Sequence, residues 1–412
     1  MSDICCGFCG CSKEDLDKDD VPMKFGIGED STICYDCITS FEEDITLEIN
    51  ELDDFEFEFN FDKTPFQIVE ELNKHVVGQV KAKRTIALAA YQHYNRIKNK
   101  ENNLDKNNIL LVGPTGSGKT LLVKKLANLL NVPFYITRAN SITEAGYVGD
   151  DVEGIIEGLL EKCDGNVKKA EMGIVFIDEI DKIRKAPDSS SVKDVSGVGT
   201  QNSLLTILED EEITVYKKSE FKDPVKVNTK NILFISSGAF SGINDIVNKR
   251  LNKSNSKMGL KFESIKKEDD QELNMEEICN EDLISYGLIP EFVGRFPVIA
   301  SLKGLSVQDL IKVIKEPENS ILKQYKKLFE IEGVVLTIPD NVLEEIAKQA
   351  ISKKTGARGV KNDFNKIFED ALFEASSFKD KYRCILTKEK YLKDKKAELR
   401  KLVPALKKSA SK

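Results

Sequence analysis

Along the middle of the chain, short apolar runs alternate with longer segments whose apolar positions recur every three or four residues. The runs are Ile109-Leu110-Leu111-Val112, Phe134-Tyr135-Ile136-Thr137, Gly173-Ile174-Val175-Phe176-Ile177, Asn231-Ile232-Leu233-Phe234-Ile235 and Pro297-Val298-Ile299-Ala300. Runs of this length predict buried strands. Between the first two, Leu122, Leu126, Leu129 and Leu130 fall at helical spacing. Upstream, Pro65 suits a first helical turn, and Ile86, Leu88, Ala90, Tyr91 and Ile97 mark a second helix after the break at 76–79. Strands alternating with helices predict an α/β fold with a parallel sheet covered on both faces.

Beyond Leu305 the pattern changes. Leu310, Ile311, Val313 and Ile314, then Leu343, Ile346 and Ala347, then Phe364, Ile367, Phe368, Ala371 and Leu372 predict a small, mainly helical domain. Residues 383–387 read as a short strand, and the Lys-rich segment from Lys388 as a frayed helix.

Composition narrows the class. A chain of 412 residues holds two or three domains, and 41% hydrophobic with 32% charged residues describes an ordinary soluble protein. A net charge of -8 argues against a nucleic-acid partner. No apolar run approaches bilayer length, and Met1-Ser2-Asp3-Ile4-Cys5 lacks a basic n-region, so no membrane partner and a cytoplasmic location are expected.

Six of the nine cysteines crowd the start: Cys5, Cys6, Cys9, Cys11, Cys34 and Cys37. Cys6-Gly7-Phe8-Cys9 and Cys34-Tyr35-Asp36-Cys37 are two C-x-x-C knuckles, a spacing that can close a tetrahedral Zn²⁺ site. Cys5 and Cys11 flank the first knuckle and compete as ligands; Cys6, Cys9, Cys34 and Cys37 are chosen because they keep the two-residue gap. Four sulfurs leave no open position, so the zinc is structural, and so small a piece needs it to fold. The following acidic stretch carries Phe55, Phe57, Phe59 and Phe61 at alternate positions. It reads as a linker, although the alternation also fits a half-buried strand.

The strongest chemistry lies at Gly113-Pro114-Thr115-Gly116-Ser117-Gly118-Lys119-Thr120, a phosphate-binding loop placed between strand and helix. Its amides would wrap phosphates at a helix N-terminus, joined by that of Leu121 on the α-phosphate. Lys119 would reach the β- and γ-phosphates and Thr120 would ligate Mg²⁺. At the end of the 173–177 run stand Asp178 and Glu179. Asp178 would hold Mg²⁺ through its water shell, and Glu179 would polarise the water attacking the γ-phosphate of ATP. The chain has two histidines, His75 and His93, in the early helical region. A histidine-dependent protease triad is therefore not evident, and an ATPase that is not itself a peptidase is expected.

Together these motifs resemble the ClpX family of AAA+ unfoldases over nearly the whole chain. The similarity extends to Thr143-Glu144-Ala145-Gly146-Tyr147-Val148-Gly149, to Leu288-Ile289-Pro290-Glu291-Phe292-Val293-Gly294-Arg295 and to Lys354-Thr355-Gly356-Ala357-Arg358-Gly359. The resemblance implies an AAA+ P-loop NTPase with a small helical C-terminal domain and a small N-terminal zinc-binding domain of treble-cysteine type. It implies boundaries of 1–45 for the zinc domain, 46–63 for an acidic linker, 64–303 and 304–400 for the large and small ATPase domains, and 401–412 for a basic tail. It assigns Tyr147 and Val148 to a substrate-gripping pore loop, Asp194-Val195-Ser196-Gly197 to a second, Arg295 to an arginine finger, Arg358 to a nucleotide sensor, and Val76 and Val77 to the adenine pocket. A homohexamer that unfolds protein substrates and threads them into a ClpP peptidase follows, with adaptors received by the zinc domain. The chain departs from the family in three places. Tyr216-Lys217-Lys218-Ser219-Glu220-Phe221 replaces a loop usually bearing Arg-Lys-His; Val198 stands where Glu is common; and the peptidase-docking tripeptide reads Met258-Gly259-Leu260 rather than Ile-Gly-Phe.

Overall fold

The computed structural model describes residues 5–9, 11–12, 25–27, 32–39, 62–100, 104–142, 152–185, 195–215, 224–257, 277–353, 355–377 and 382–401. The chain divides into two compact units, Met1–Asn60 and Phe61–Lys412. In the first, β1 (Phe25–Ile27) pairs antiparallel with β2 (Thr32–Cys34), and a helical turn follows over 35–39. Its buried centre consists of Cys6 and Cys34 among the described residues, with Cys11, Ile33 and Cys37 packed against them. So little apolar area cannot offset the entropy of ordering the chain.

The second unit opens with α1 (Pro65–His75) and α2 (Val80–Lys98). Thr64 and Gln67 form a capping box at the first helix, with Pro65 in its first turn. There follow β3 (Ile109–Val112), α3 (Lys119–Leu130), β4 (Phe134–Arg138), α4 (Val152–Glu161), α5 (Val167–Glu171), β5 (Ile174–Asp178) and α6 (Val195–Leu208). A hairpin of β6 (Glu212–Val215) and β7 (Val225–Asn228) leads to β8 (Leu233–Gly238), then α7 (Ile243–Lys257), α8 (Asn280–Tyr286), α9 (Pro290–Gly294) and β9 (Val298–Ser301).

β4, β5, β8, β3 and β9 lie in that order in one sheet whose pairings are all parallel. The α/β expectation holds. β3 is buried at every position and lies between β8 and β9, neither its neighbour in sequence. A ligand crevice opens beyond the carboxyl ends of such a sheet where the strand order reverses. The β8 strand starts later than the apolar run suggests, because Asn228 caps a tight turn over Thr229–Asn231. Of the expected stripe on α2, Ile86 and Ala90 are buried and Tyr91 and Ile97 half-buried, while Leu88 is exposed and Ala87 and Ala89 take buried positions beside it.

The remainder is a helical layer with its own core. Its elements are α10 (Val307–Lys315), α11 (Ile321–Ile331), β10 (Val334–Thr337), α12 (Asp340–Ser352), α13 (Gly356–Ala375), β11 (Tyr382–Ile385), α14 (Lys388–Lys393) and β12 (Glu398–Lys401). Tyr325, Phe329, Phe364 and Phe368 meet at ring separations of 5.4–5.7 Å in its centre. Offset and edge-on aromatic contacts of this kind stabilise beyond their burial. The expected frayed helix after Lys388 is short and capped by Thr387, and the chain then returns as β12 beside β11. β10 and β11 pair in parallel, completing a three-stranded sheet that the apolar pattern does not announce.

Candidate functional site

The phosphate loop starts where β3 ends. The Gly113 amide donates to the Gly238 carbonyl at 3.2 Å, and a Cβ on Gly113 would stand 2.5 Å from the Leu302 carbonyl oxygen. Only glycine lets the loop leave the sheet between its two neighbouring strands. Gly118, at φ +97°, then turns the chain into α3. Lys119 is buried, and its ammonium donates to the carbonyls of Gly113 at 2.6 Å and Pro114 at 3.0 Å. Burial lowers its pKa, while Asp178 and Asp181 pull it back up. The buried Ser117 hydroxyl has no partner among the described residues, which suits a loop shaped for an anion.

Across from the loop stands the carboxyl end of β5. Asp178 accepts from the Thr120 hydroxyl at 3.3 Å, from the Glu179 amide at 2.9 Å and from the Ser237 hydroxyl on β8. A carboxylate and a hydroxyl so joined fit a hydrated Mg²⁺. Glu179 takes a left-handed conformation, φ +61° and ψ +34°, uncommon for a residue other than glycine. Asp181 is nearly buried and accepts from the Ala239 amide at 3.2 Å.

The small domain supplies the remaining wall. Gly116 abuts Gly356, and Ala357 and Arg358 at the start of α13 join Thr115–Leu121 positions, Asp178 and Glu179 around an open cleft of about 490 Å³. A second hollow of about 630 Å³ adjoins the break between α1 and α2 and includes Gly78, Gln79, Arg84, Lys303 and Asp309. Gln79 pins it together. Its side chain donates to the Lys303 carbonyl at 2.8 Å and accepts from the Lys303 amide at 2.9 Å. Val76 beside it is buried and Val77 half-buried.

Arg295 lies elsewhere. It caps α9 just before β9, and Asn108, just before β3, donates to its carbonyl at 3.1 Å. β3 and β9 run side by side from Ile109↔Val298 to Val112↔Ser301. The Arg295 backbone and the phosphate loop therefore lie at opposite ends of a four-residue strand, about 13 Å apart along it. Arg295 is partly exposed and pairs with Glu209, just past the end of α6. Tyr147, Val148, Met258, Gly259 and Leu260 fall outside the described residues, as do Asp194 and the 216–221 loop.

In the N-terminal unit the sulfurs of Cys6, Cys9, Cys11 and Cys34 all lie within 4.8 Å of one another. The Cys34 amide donates to the Cys6 sulfur at 3.3 Å and the Cys37 amide to the Cys34 sulfur at 3.4 Å. Amides aimed at sulfur favour the thiolate, and the Cys6 thiol is lowered to about 6, chiefly by the Cys9 backbone. Cys37 stands against Cys34, Cys9 and Cys6, and is pushed up to about 12 by sharing hydrogen bonds with thiolates. This donor set suits Zn²⁺. Cys5 is exposed, its backbone bridged to Ser12.

A phosphate loop at the carboxyl edge of a parallel sheet, an Asp-Glu pair across from it and a small domain closing over it define a P-loop ATPase of the AAA class. Residues 104–299 match the AAA domain (Cdc48 subfamily), and residues 305–383 match the C-terminal, D2-small domain of ClpB protein. Over 334 residues the chain is 43% identical to the ATP-dependent Clp protease ATP-binding subunit ClpX of Treponema denticola, covering 79% of this chain and 80% of that relative. The chain belongs to the ClpX family, and it is an ATPase rather than a peptidase. Among the described residues no helix is long and apolar enough to cross a membrane.

Proposed function

We propose that this protein is an ATP-driven unfoldase and translocase that works as a homohexameric ring and delivers threaded proteins to a ClpP-type peptidase. The observation that carries the ring is the placement of Arg295. Its backbone stands at the far end of the sheet from the chain's own phosphate loop, so its natural target is a neighbouring subunit's γ-phosphate.

The roles follow from the cleft. The loop amides from Thr115 to Leu121 cradle the phosphates of ATP, and Lys119 exchanges its two loop carbonyls for β- and γ-phosphate oxygens. Thr120 and Asp178 are the residues that would hold Mg²⁺, which when bound neutralises developing phosphate charge. Glu179 orients and deprotonates the attacking water. Val76 and Val77 line the adenine side, and Arg358 reads the γ-phosphate from the small domain. Because Gly116 and Gly356 touch, hydrolysis would be felt as a movement of one domain on the other. Tyr147 and Val148 would turn that movement into a pull on the polypeptide, gripping it by packing rather than by sequence. Cys6, Cys9, Cys34 and either Cys11 or Cys37 would hold a structural Zn²⁺ in a module that receives substrates or adaptors.

The Met258-Gly259-Leu260 tripeptide keeps the apolar–Gly–apolar pattern but loses contact area where Leu replaces Phe. That favours, as a second reading, a remodelling chaperone acting without a peptidase. One experiment separates the two: ATP-dependent loss of fluorescence from a tagged stable fluorescent protein, with a refolding trap or with ClpP. Degradation with ClpP supports the first reading. Loss with the trap but no degradation supports the second, and no loss under either condition sinks both.

A further inference from the structure

Four cysteine sulfurs form a set of the size a tetrahedral ion takes, and a fifth cysteine packs against that set. Zinc–sulfur bonds of about 2.3 Å in a tetrahedron put sulfurs roughly 3.8 Å apart. Cys9 lies 3.3 Å from Cys11 and 3.5 Å from Cys34, and these three with Cys6 form a complete four-sulfur set. Cys37 packs against Cys6 and Cys34 at the edge of this set, its amide donating to the Cys34 sulfur at 3.4 Å.

Cys11 is held there by the backbone, not by chance rotation of its side chain. The Cys6 amide donates to the Cys11 carbonyl at 2.8 Å, closing the loop, and Cys5 bridges Ser12 just outside it. Cys37 is held just as firmly. It sits in the helical turn over 35–39, and its amide donates to the Cys34 sulfur.

We propose that the N-terminal zinc site is a five-thiol site in which Cys6, Cys9 and Cys34 are constant ligands while Cys11 and Cys37 exchange in the fourth position. This rests on the reading of the cluster as a zinc site. With both thiols packed against the other three cysteines, either could fill the fourth position without the chain refolding. The displaced thiol takes up a proton and the arriving one gives up its own, which leaves charge balanced. One thiol of the pair is always free beside a filled site.

The test uses the full chain loaded with zinc and exposed briefly to iodoacetamide, with alkylated cysteines located by peptide mass spectrometry. Beside the label on exposed Cys5, the expected result is one further label in the cluster, shared between Cys11 and Cys37 and never on both in a chain that retains zinc, with Cys6, Cys9 and Cys34 protected. Label on Cys11 with full protection of Cys37, or the reverse, overturns the exchange and identifies a fixed ligand set. Zinc retention then gives an independent check. Cys11→Ser and Cys37→Ser should each keep one zinc within about tenfold of the wild-type affinity, whereas the double variant should bind about 100-fold more weakly or worse. Equal affinity of Cys37→Ser and the double variant would exclude Cys11 as a ligand. A wild-type chain that binds no zinc would overturn the zinc reading itself.

Discussion

Gly116 in the phosphate loop and Gly356 at the start of α13 meet backbone to backbone. A Cβ on Gly356 would stand 3.2 Å from the Gly116 α-carbon, and one on Gly116 equally close to the Gly356 α-carbon and the Thr355 carbonyl. Both glycines also have positive φ, +82° and +55°. The contact thus joins the loop that would grip phosphates to the helix that presents Arg358. Gly356→Ala adds a Cβ at this seam and strains a left-handed backbone, each a small cost, about 1 kcal/mol together or somewhat more. Nucleotide affinity should fall about three- to tenfold, read by titration with a fluorescent ATP analogue. Unchanged affinity would show that the seam does not communicate with the cleft.

Glu179 is expected to be indispensable for turnover and dispensable for binding. Its amide is tied to the Asp178 carboxylate, so the carboxylate of Asp178 is fixed from below while Glu179 faces the cleft. Glu179→Gln preserves size and the left-handed backbone but removes the base. Hydrolysis should drop about 10²–10⁴-fold, the range for general-base loss, with ATP affinity nearly unchanged. Turnover within a few-fold of wild type would remove Glu179 from the chemistry.

How much of this was legible in the sequence depends on where the information resides. The phosphate loop and the Asp178-Glu179 pair are local signals, each flanked by its own strand, and the parallel sheet follows from the apolar runs that precede them. β12 is different. Glu398-Leu399-Arg400-Lys401 has no hydrophobic signature of a strand and becomes one by pairing with β11. Gln79 is legible only in three dimensions, because its partner, the Lys303 backbone, is distant in sequence. Ser237 left a faint trace, two serines in an otherwise apolar strand, where a buried hydroxyl needs an acceptor and finds Asp178. Cys11 was visible as a competitor for zinc, but no spacing rule could show that a backbone bond from Cys6 carries it to the other sulfurs.

Arg295 is expected to act in trans. Arg295→Ala should leave ATP binding intact and reduce hydrolysis by about 10³-fold, the lower end for a lost arginine finger. Mixing decides the geometry. Assemblies of Arg295→Ala with Glu179→Gln chains contain interfaces that pair an intact Glu179 with an intact Arg295. They should recover measurable hydrolysis that neither variant shows alone. Mixed assemblies no more active than the parents would place the finger in its own subunit's cleft or outside catalysis. Glu209, which pairs with Arg295 within the subunit, should be released when the finger engages.

The body should lose stability as the medium acidifies, and His93 should account for part of the loss. His93 is fully buried on α2; its Nε2 lies 2.9 Å from the Asn231 carbonyl, which fixes the proton on that nitrogen. Burial depresses its pKa to about 3, with the Arg96 charge pushing the same way and the Asn231 carbonyl opposing. An unfolded chain titrates this group near 6.5, so between about pH 6.5 and 3 the unfolded state binds a proton that the folded state refuses. The stabilisation is present in full above pH 6.5 and is lost as pH falls through that window, at up to about 1.4 kcal/mol per pH unit. His93→Gln, a neutral side chain that can still donate to Asn231, should flatten the decline of thermal midpoint with pH while lowering the midpoint at pH 7.5 through imperfect packing. The comparison to make is the slope of midpoint against pH from 7.5 to 4.5 in wild type and variant. Parallel slopes would show that His93 does not contribute to the acid sensitivity of the fold.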